Sequence, residues 1–195
     1  MNITHKGTPV LTTPRLTLRR FTAADAPAMY RNWASDHEVT RYLRWPPHTD
    51  TAVSSAVLAD WISQYRRQDF YQWAIVPQEI GEPIGTIGAN FCDDAAATAH
   101  IGYAIGHPFW HRGYTSEALA AVIDFFFTDV GMNRIESQHD PDNVHSGAVM
   151  QKCGMRYEGT RRQADYNNRG IVDACGYAIL YEDWLQNRQK TEHRT

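Results

Sequence analysis

The stretch Trp110-His111-Arg112-Gly113-Tyr114-Thr115-Ser116-Glu117-Ala118 combines residue types that can seize an anion. It separates a strand-like run ending at Ile105 from the strongest helical pattern in the chain. At such a junction successive main-chain N–H groups converge on one spot, and the helix dipole adds partial positive charge there. Gly113 lets the backbone approach a ligand closely, while His111 and Arg112 supply further donors. This chemistry suits a phosphate or diphosphate. It is not a Walker loop, because no Gly-Lys-Ser/Thr follows, and the Gly-x-Gly-x-x-Gly dinucleotide pattern is absent too. Ordinary helix capping uses the same spacing, so the loop by itself leaves both readings open.

The elements that must hold this loop are read from periodicity. Leu16 and Leu18 between Arg15, Thr17 and Arg19 predict a half-buried strand over residues 15–21. Residues 23–34 place Ala26, Met29, Tyr30 and Trp33 at helical spacing, with Asp25 near the start and Pro27 in the first turn. Residues 41–49, holding Tyr42, Trp45, Pro46 and Pro47, are irregular, and a helix is predicted over 51–66. Three short strands follow at 71–76, 83–91 and 99–105, divided by Gly81-Glu82 and Asp93-Asp94. Residues 116–130 form the clearest helix, with Ala118, Ala121, Val122 and Phe125 on one face and Gly131 as its stop. A polar strand at 134–139 leads to the turn Asp140-Pro141-Asp142-Asn143, then to a helix over 144–153 ending at Gly154. Strands near 157–163 and 172–181 close the pattern. Four helices and about seven strands in this order give a mixed α/β domain, too irregular for a doubly wound sheet. No repeat, low-complexity tract or linker interrupts the chain, so residues 1–195 read as one domain.

Composition narrows the function classes. At 43% hydrophobic and 12% aromatic residues the chain can bury a proper core. With 19 basic and 22 acidic residues the net charge is −3, and no polybasic stripe asks for nucleic acid or a membrane surface. Cys92, Cys153 and Cys175 are an odd, widely spaced set, which reads as free thiols in a reducing compartment rather than a disulfide framework. The first ten residues lack the apolar stretch of a signal peptide. Residues 118–127, the most apolar run, are broken by Asp124 and too short to span a bilayer. A cytoplasmic location is expected.

Ile101-Gly102-Tyr103-Ala104-Ile105, followed by Pro108-x-Trp110-His111-Arg112-Gly113-Tyr114-Thr115-Ser116-Glu117-Ala118, resembles the acetyl-CoA motif of the GNAT superfamily. Within it the run is most similar to the RimJ/RimL branch, the ribosomal-protein-alanine N-acetyltransferases. Four further pieces agree in order and spacing: Thr13-Pro14-Arg15-Leu16-x-Leu18-Arg19, Ile84-Gly85-x-Ile87-Gly88, the run from Asn143-x-x-Ser146 through Lys152-Cys153-Gly154-Met155 to Glu158-Gly159, and Asp173 through Tyr177 to Trp184. The resemblance covers residues 11 to about 185. This sequence departs from the pattern at His111, where a Gly is typical, at Thr115, where a smaller residue is usual, and at Met155, where Phe is usual.

The resemblance implies a mixed, largely antiparallel sheet that splays between its fourth and fifth strands, here residues 99–105 and 134–139. It implies acetyl-CoA as acetyl donor, with the pantetheine arm on backbone groups of Tyr103, Ala104 and Ile105. The diphosphate is expected on the turn of His111, Arg112, Gly113, Tyr114, Thr115 and Ser116, and Asn143 is expected to reach the pantetheine. The acceptor is a primary amine: a protein N-terminal α-amine, or a small amine, polyamine or amino acid. By the Asn-x-x-Ser motif Ser146 is the candidate general acid, and Asp165, nineteen residues on, falls where the branch can carry its base. His100 stands where the branch often has Glu and is the competing base, with an ordinary pKa near ~6.5. Tyr42, Trp45 and Trp73 are expected to wall the acceptor site, in a protein acting as monomer or homodimer. No metal is called for.

Each of these residues also has a structural role open to it. Ser146 could cap the helix that starts near Val144, Asp165 could belong to a turn with Tyr166-Asn167-Asn168, His100 could be a solvated strand residue, and Glu117 reads as a first-turn carboxylate. Nine histidines invite a metal-dependent hydrolase, but His107 and His111 sit in a loop and no His-Glu-x-x-His or paired Cys-x-x-Cys motif exists. A third class is an acyl-CoA-binding sensor that turns over no amine.

Overall fold

The computed structural model describes residues 3–192. One sheet contains β1 (Leu11–Thr12), β2 (Leu16–Arg19), β3 (Gln72–Pro77), β4 (Gly85–Asp93), β5 (Thr98–Ile105), β6 (Arg134–His139), β7 (Arg156–Asn167) and β8 (Gly170–Leu180). Their order across the sheet is β1-β2-β3-β4-β5-β6-β8-β7. Neighbours are antiparallel except β5 and β6, which run parallel and are joined through a helical crossover. The helices are α1 (Ala26–Met29), α2 (His37–Thr40), α3 (Thr51–Gln64), α4 (Tyr114–Phe125), α5 (Val144–Lys152) and α6 (Tyr181–Glu192).

Among the described residues there are eight strands, where about seven were expected, and six α-helices, where about four were expected. The one-turn α2 has no room for a period, and its start is fixed by Asp36, whose carboxylate accepts from the Glu38 amide at 2.8 Å. In α6 the apolar face is reduced to Tyr181, Trp184 and Leu185 on an otherwise polar helix, so its pattern is hidden. Strand β7 runs on to Asn167 because it bulges: Arg161 pairs with Ala174 and Asp165 with Val172, leaving three residues looped out around Gln163 at φ +50°. The predicted helix over 23–34 exists as a 3-10 turn, then α1, then a π turn over Tyr30–Ala34.

Strand alternation divides the core between the two sheet faces. On one face Trp73 and Ile75 of β3 and Ala99 and Ile101 of β5 pack under Leu119, Val122 and Phe126 on the α4 side. On the other, Ala74, Val76 and Ala104 meet Met29, Trp33 and Leu58 of the α1–α3 layer. Trp73 was expected on the acceptor wall; it lies instead inside the first core. Its ring is fully buried, stacked 5.9 Å from Tyr71 and edge-on to Phe125 at 5.7 Å, with Nε1 donating to the Pro9 carbonyl at 2.6 Å.

The strands β5 and β6 pair over only Thr98–Arg134, Ala99–Ile135 and His100–Glu136. Beyond that point β5 follows β4 and β6 follows β8, so the sheet opens. The Ser137 hydroxyl donates to the Ile101 carbonyl at 2.8 Å, closing the ladder where it stops. Trp73→Ala is expected to cost about 3–5 kcal/mol in a denaturant titration, and a loss under ~1 kcal/mol would place Trp73 outside the packed core.

Candidate functional site

The turn before α4 keeps its amides free. Its first helical hydrogen bond runs from Glu117 N–H to the Gly113 carbonyl at 3.1 Å. Among the described residues nothing accepts from the main-chain N–H groups of Arg112, Gly113, Tyr114, Thr115 or Ser116. Two left-handed residues shape the turn, His111 at φ +60° and Gly113 at φ +79°. The Lys152 ammonium, at the end of α5, lies 3.8 Å from the point a Gly113 side chain would occupy. Cys153 locks that end in place: its thiol lies 3.2 Å from the Ser116 carbonyl, and burial pushes its pKa up to about 12, so it stays protonated.

A cavity of about 480 Å³ runs from this turn to the opening of the sheet. Its floor is the free edge of β5. The Ile101 carbonyl points toward β6, so the strand period turns the N–H and C=O of Tyr103 the same way, into the gap. Ala104 points the other way, its carbonyl toward Gly85 of β4, and the Ile105 carbonyl is taken by Trp110 Nε1 at 2.9 Å. Of the three residues expected to offer main-chain groups, Tyr103 is the one with both facing the gap. Its hydroxyl spans to α5, 3.0 Å from both the carbonyl and the Oγ of Ser146. Burial raises the Tyr103 pKa well above its ordinary value, so the hydroxyl is neutral. Ser146 is no helix cap: Asn143 holds that position, and its side chain makes no capping bond and lines the cavity.

A free amide cluster opening onto an unpaired strand edge is a cradle for an extended ligand with an anionic end. Residues 15–156 match the family model described as an acetyltransferase (GNAT) domain. The chain belongs to the GNAT acetyltransferase family. It is similar to the uncharacterized N-acetyltransferase p20 of Bacillus licheniformis, at 31% identity over 174 residues, covering 89% of this chain and 97% of that one. It also matches the ribosomal protein uS5-alanine N-acetyltransferase of Escherichia coli (strain K12), at 29% identity over 91% of this chain and 94% of that one. The fold is shared with RimL solved with coenzyme A, at TM-score 0.79 and 23% identity, over 88% of this chain and 98% of that one. As a GNAT protein related to ribosomal-protein acetyltransferases, the chain is an N-acetyltransferase.

The other candidates of this GNAT domain lie on the opposite sheet face. His100 sits at the last β5–β6 pair, in a second groove of about 400 Å³ shared with Glu136, Gln138 and Arg161. Its ring stacks on Phe91 at 5.2 Å, and Nδ1 lies 3.1 Å from the Asn90 amide nitrogen. Burial lowers its pKa, only partly opposed by Glu136, so the imidazole is neutral at pH 7. Ser146 and His100 therefore approach the gap from opposite faces.

Asp165 lies within β7, not in a turn, and its carboxylate is occupied. It accepts from Arg44 Nε at 2.8 Å and Nη2 at 2.6 Å, from Gln138 Nε2 at 2.6 Å and from the Tyr166 amide at 2.7 Å. This arrangement ties the 41–49 segment to β6 and β7. Arg44 and Gln138 were missed in the sequence because neither belongs to a motif. Asn168 extends the same tie, donating through Nδ2 to the Thr40 and Trp45 carbonyls at 2.8 Å and through its N–H to the Leu43 carbonyl at 3.1 Å.

Tyr42 lines the cavity, with the Arg41 and Arg169 guanidinium carbons each 5.5 Å from its ring centroid. Trp45 does not line it. Its ring packs 5.4 Å from His48, against the α1–α3 core. Among the described residues no group of three His, Cys, Asp or Glu is arranged to hold a metal ion, and His107 and His111 turn to different neighbours, Trp110 and His145. Asn168→Ala removes two bonds to the segment that carries Tyr42. It should cost about 1–3 kcal/mol and raise amide exchange over residues 40–46 while leaving α4 protected. Unchanged exchange there would mean the tie does not hold the wall.

Proposed function

We propose that this enzyme transfers acetyl from acetyl-CoA to a primary amine by direct attack in a ternary complex, and that the amine is a protein N-terminal α-amine. The observation carrying this reading is the row of free amides from Arg112 to Ser116, of which Gly113, Thr115 and Ser116 line one cavity with the unpaired edge of β5. Five uncommitted N–H groups at a helix start suit a diphosphate, with Lys152 beside them. The pantetheine arm would lie along Tyr103, within reach of the uncapped Asn143 side chain. The relatives named as ribosomal protein uS5-alanine N-acetyltransferase and ribosomal-protein-serine acetyltransferase favour a protein acceptor, and with it a cytoplasmic setting.

In the reaction the neutral amine nitrogen bonds to the thioester carbon, and the carbonyl oxygen gains charge. The Tyr103 N–H, facing the gap, supplies the fixed donor for that oxygen. The amine's proton passes to His100, which burial keeps neutral and able to accept it. When the carbon–sulfur bond breaks, the departing thiolate takes a proton from the Ser146 hydroxyl, itself hydrogen-bonded to Tyr103. Solvent returns a proton to Ser146 as His100 releases the one it took from the amine. Holding both substrates at one gap supplies much of the remaining rate.

A thiol-release assay against N-terminal peptides and small amines in parallel tests the proposal. Turnover confined to small amines overturns the acceptor, and none with any amine leaves a coenzyme-binding sensor. Ser146→Ala should lower kcat on the order of 10²-fold while coenzyme A affinity stays within about twofold; equal loss of both would reduce Ser146 to a structural residue. For His100 the sign follows from its lowered pKa. The base is competent above that value and lost as pH falls through it, so the acidic limb of kcat/KM should lie below ~6.5. His100→Gln should abolish that limb, and an unmoved limb would exclude His100 as the base.

A further inference from the structure

The free amides raise a question of support. Two left-handed residues in the coenzyme turn, one of them the non-glycine His111, cost about 1–2 kcal/mol each outside glycine. The turn makes few bonds of its own, because its donors are kept for a ligand. The restraint must come from behind, and one side chain supplies most of it. Arg15 Nη1 donates to the Arg112 carbonyl at 3.0 Å, the carbonyl lying between the two left-handed residues. Its Nε and Nη2 grip Glu117 Oε2 at 2.7 and 2.6 Å. The second Glu117 oxygen accepts from the Thr13 hydroxyl at 2.6 Å and the Arg15 amide at 3.0 Å. The guanidinium also covers the Tyr114 ring at 4.8 Å, and the Tyr114 hydroxyl is held by Glu79 at 2.5 Å.

Burial would push the Glu117 carboxyl up, but the Thr13 hydroxyl and the Arg15 groups outweigh it and hold it below its ordinary range. The pair is thus charged at neutral pH. Arg15 is half exposed, so as an ion pair it contributes only ~0.2–1 kcal/mol to global stability. Glu117 also neutralises it, leaving little charge for a ligand. What remains is geometry: pulling the Arg112 carbonyl backward turns the Gly113 N–H of the same peptide forward into the cavity. The grip on Glu117 holds the first turn of α4 in line with it.

We propose that Arg15, clamped by Glu117, is a positioning residue that aims the amides of the coenzyme turn and so sets affinity for the diphosphate part of the ligand. This rests on the coenzyme reading above. The test measures binding of two probes to the full-length protein: coenzyme A by calorimetry, and pantetheine, which lacks the diphosphate, by ligand-observed NMR. Arg15→Ala should raise the coenzyme A Kd about tenfold or more, with pantetheine binding unchanged and Tm within a few degrees of wild type. Arg15→Lys, which keeps one donor but not the fork, should fall between, and it serves if the alanine variant does not fold. A coenzyme A Kd within twofold of wild type, or parallel weakening of pantetheine, overturns this role alone. A wild-type protein that fails to bind coenzyme A overturns the parent reading together with it.

Discussion

Two parallel strands that pair over three residues and then part company impose the constraint on which the rest of the molecule depends. An unpaired main-chain group inside a protein is costly unless something meets it. Here the Ile101 carbonyl is met by Ser137, the Ile105 carbonyl is claimed by Trp110 from the loop, and between them the polar groups of Tyr103 face open space. A few residues on, the start of α4 carries five more unpaired donors, and Gly113, Thr115 and Ser116 among them line the same cavity. Neither exposure is an accident of one residue. Each is held open by side chains that spend their hydrogen bonds elsewhere: Ser137 at the strand, Arg15 and Glu117 at the turn, Cys153 at the end of α5.

The opening also makes the sheet a partition with a door. Residues alternate across β5, so Tyr103 reaches the α5 side while His100, three positions earlier, looks onto the groove behind. In the proposed reaction the proton donor and the proton acceptor would then approach a single point without meeting each other. The same alternation explains why His100 is desolvated and Ser146 is not isolated. The strand pair that ends at Glu136 closes over His100, whereas Ser146 stands at the rim of the cavity with Tyr103 as its partner.

Much of this was legible in the sequence. The helix over 116–130, the turn at Asp140-Pro141-Asp142-Asn143 and the strand limits that define the gap rest on local period and turn chemistry, and local signals survive folding. The amide turn was legible for the same reason, since a glycine before an amphipathic helix is a local event. What escaped depends on pairing across long separations. Trp73 and Trp45 look alike as aromatic residues near irregular segments, yet which face of β3 meets α4 decides that one is core, and the packing of 41–49 onto the α1–α3 layer decides the other. Asp165 sits in a run whose alternation a bulge destroys, and its partners Arg44 and Gln138 lie 121 and 27 residues away.

Those distant partners reveal how the cavity wall is built. Residues 40–45 have little regular structure of their own, and a segment with few internal bonds would drift. The β7–β8 hairpin fixes them through the Asn168 bonds and the Arg44–Asp165 pair, and Arg169 joins the same hairpin to Asp140 and Asp142 ahead of α5. One hairpin therefore sets the position of Tyr42 on one side of the cavity and of Asn143 and Ser146 on the other. The two walls of the cavity are thus anchored to the same strand pair. The amide turn and the cavity walls are thereby held by different parts of the chain: the turn by Arg15, Glu117 and α4, the walls that carry Tyr42, Asn143 and Ser146 by the hairpin.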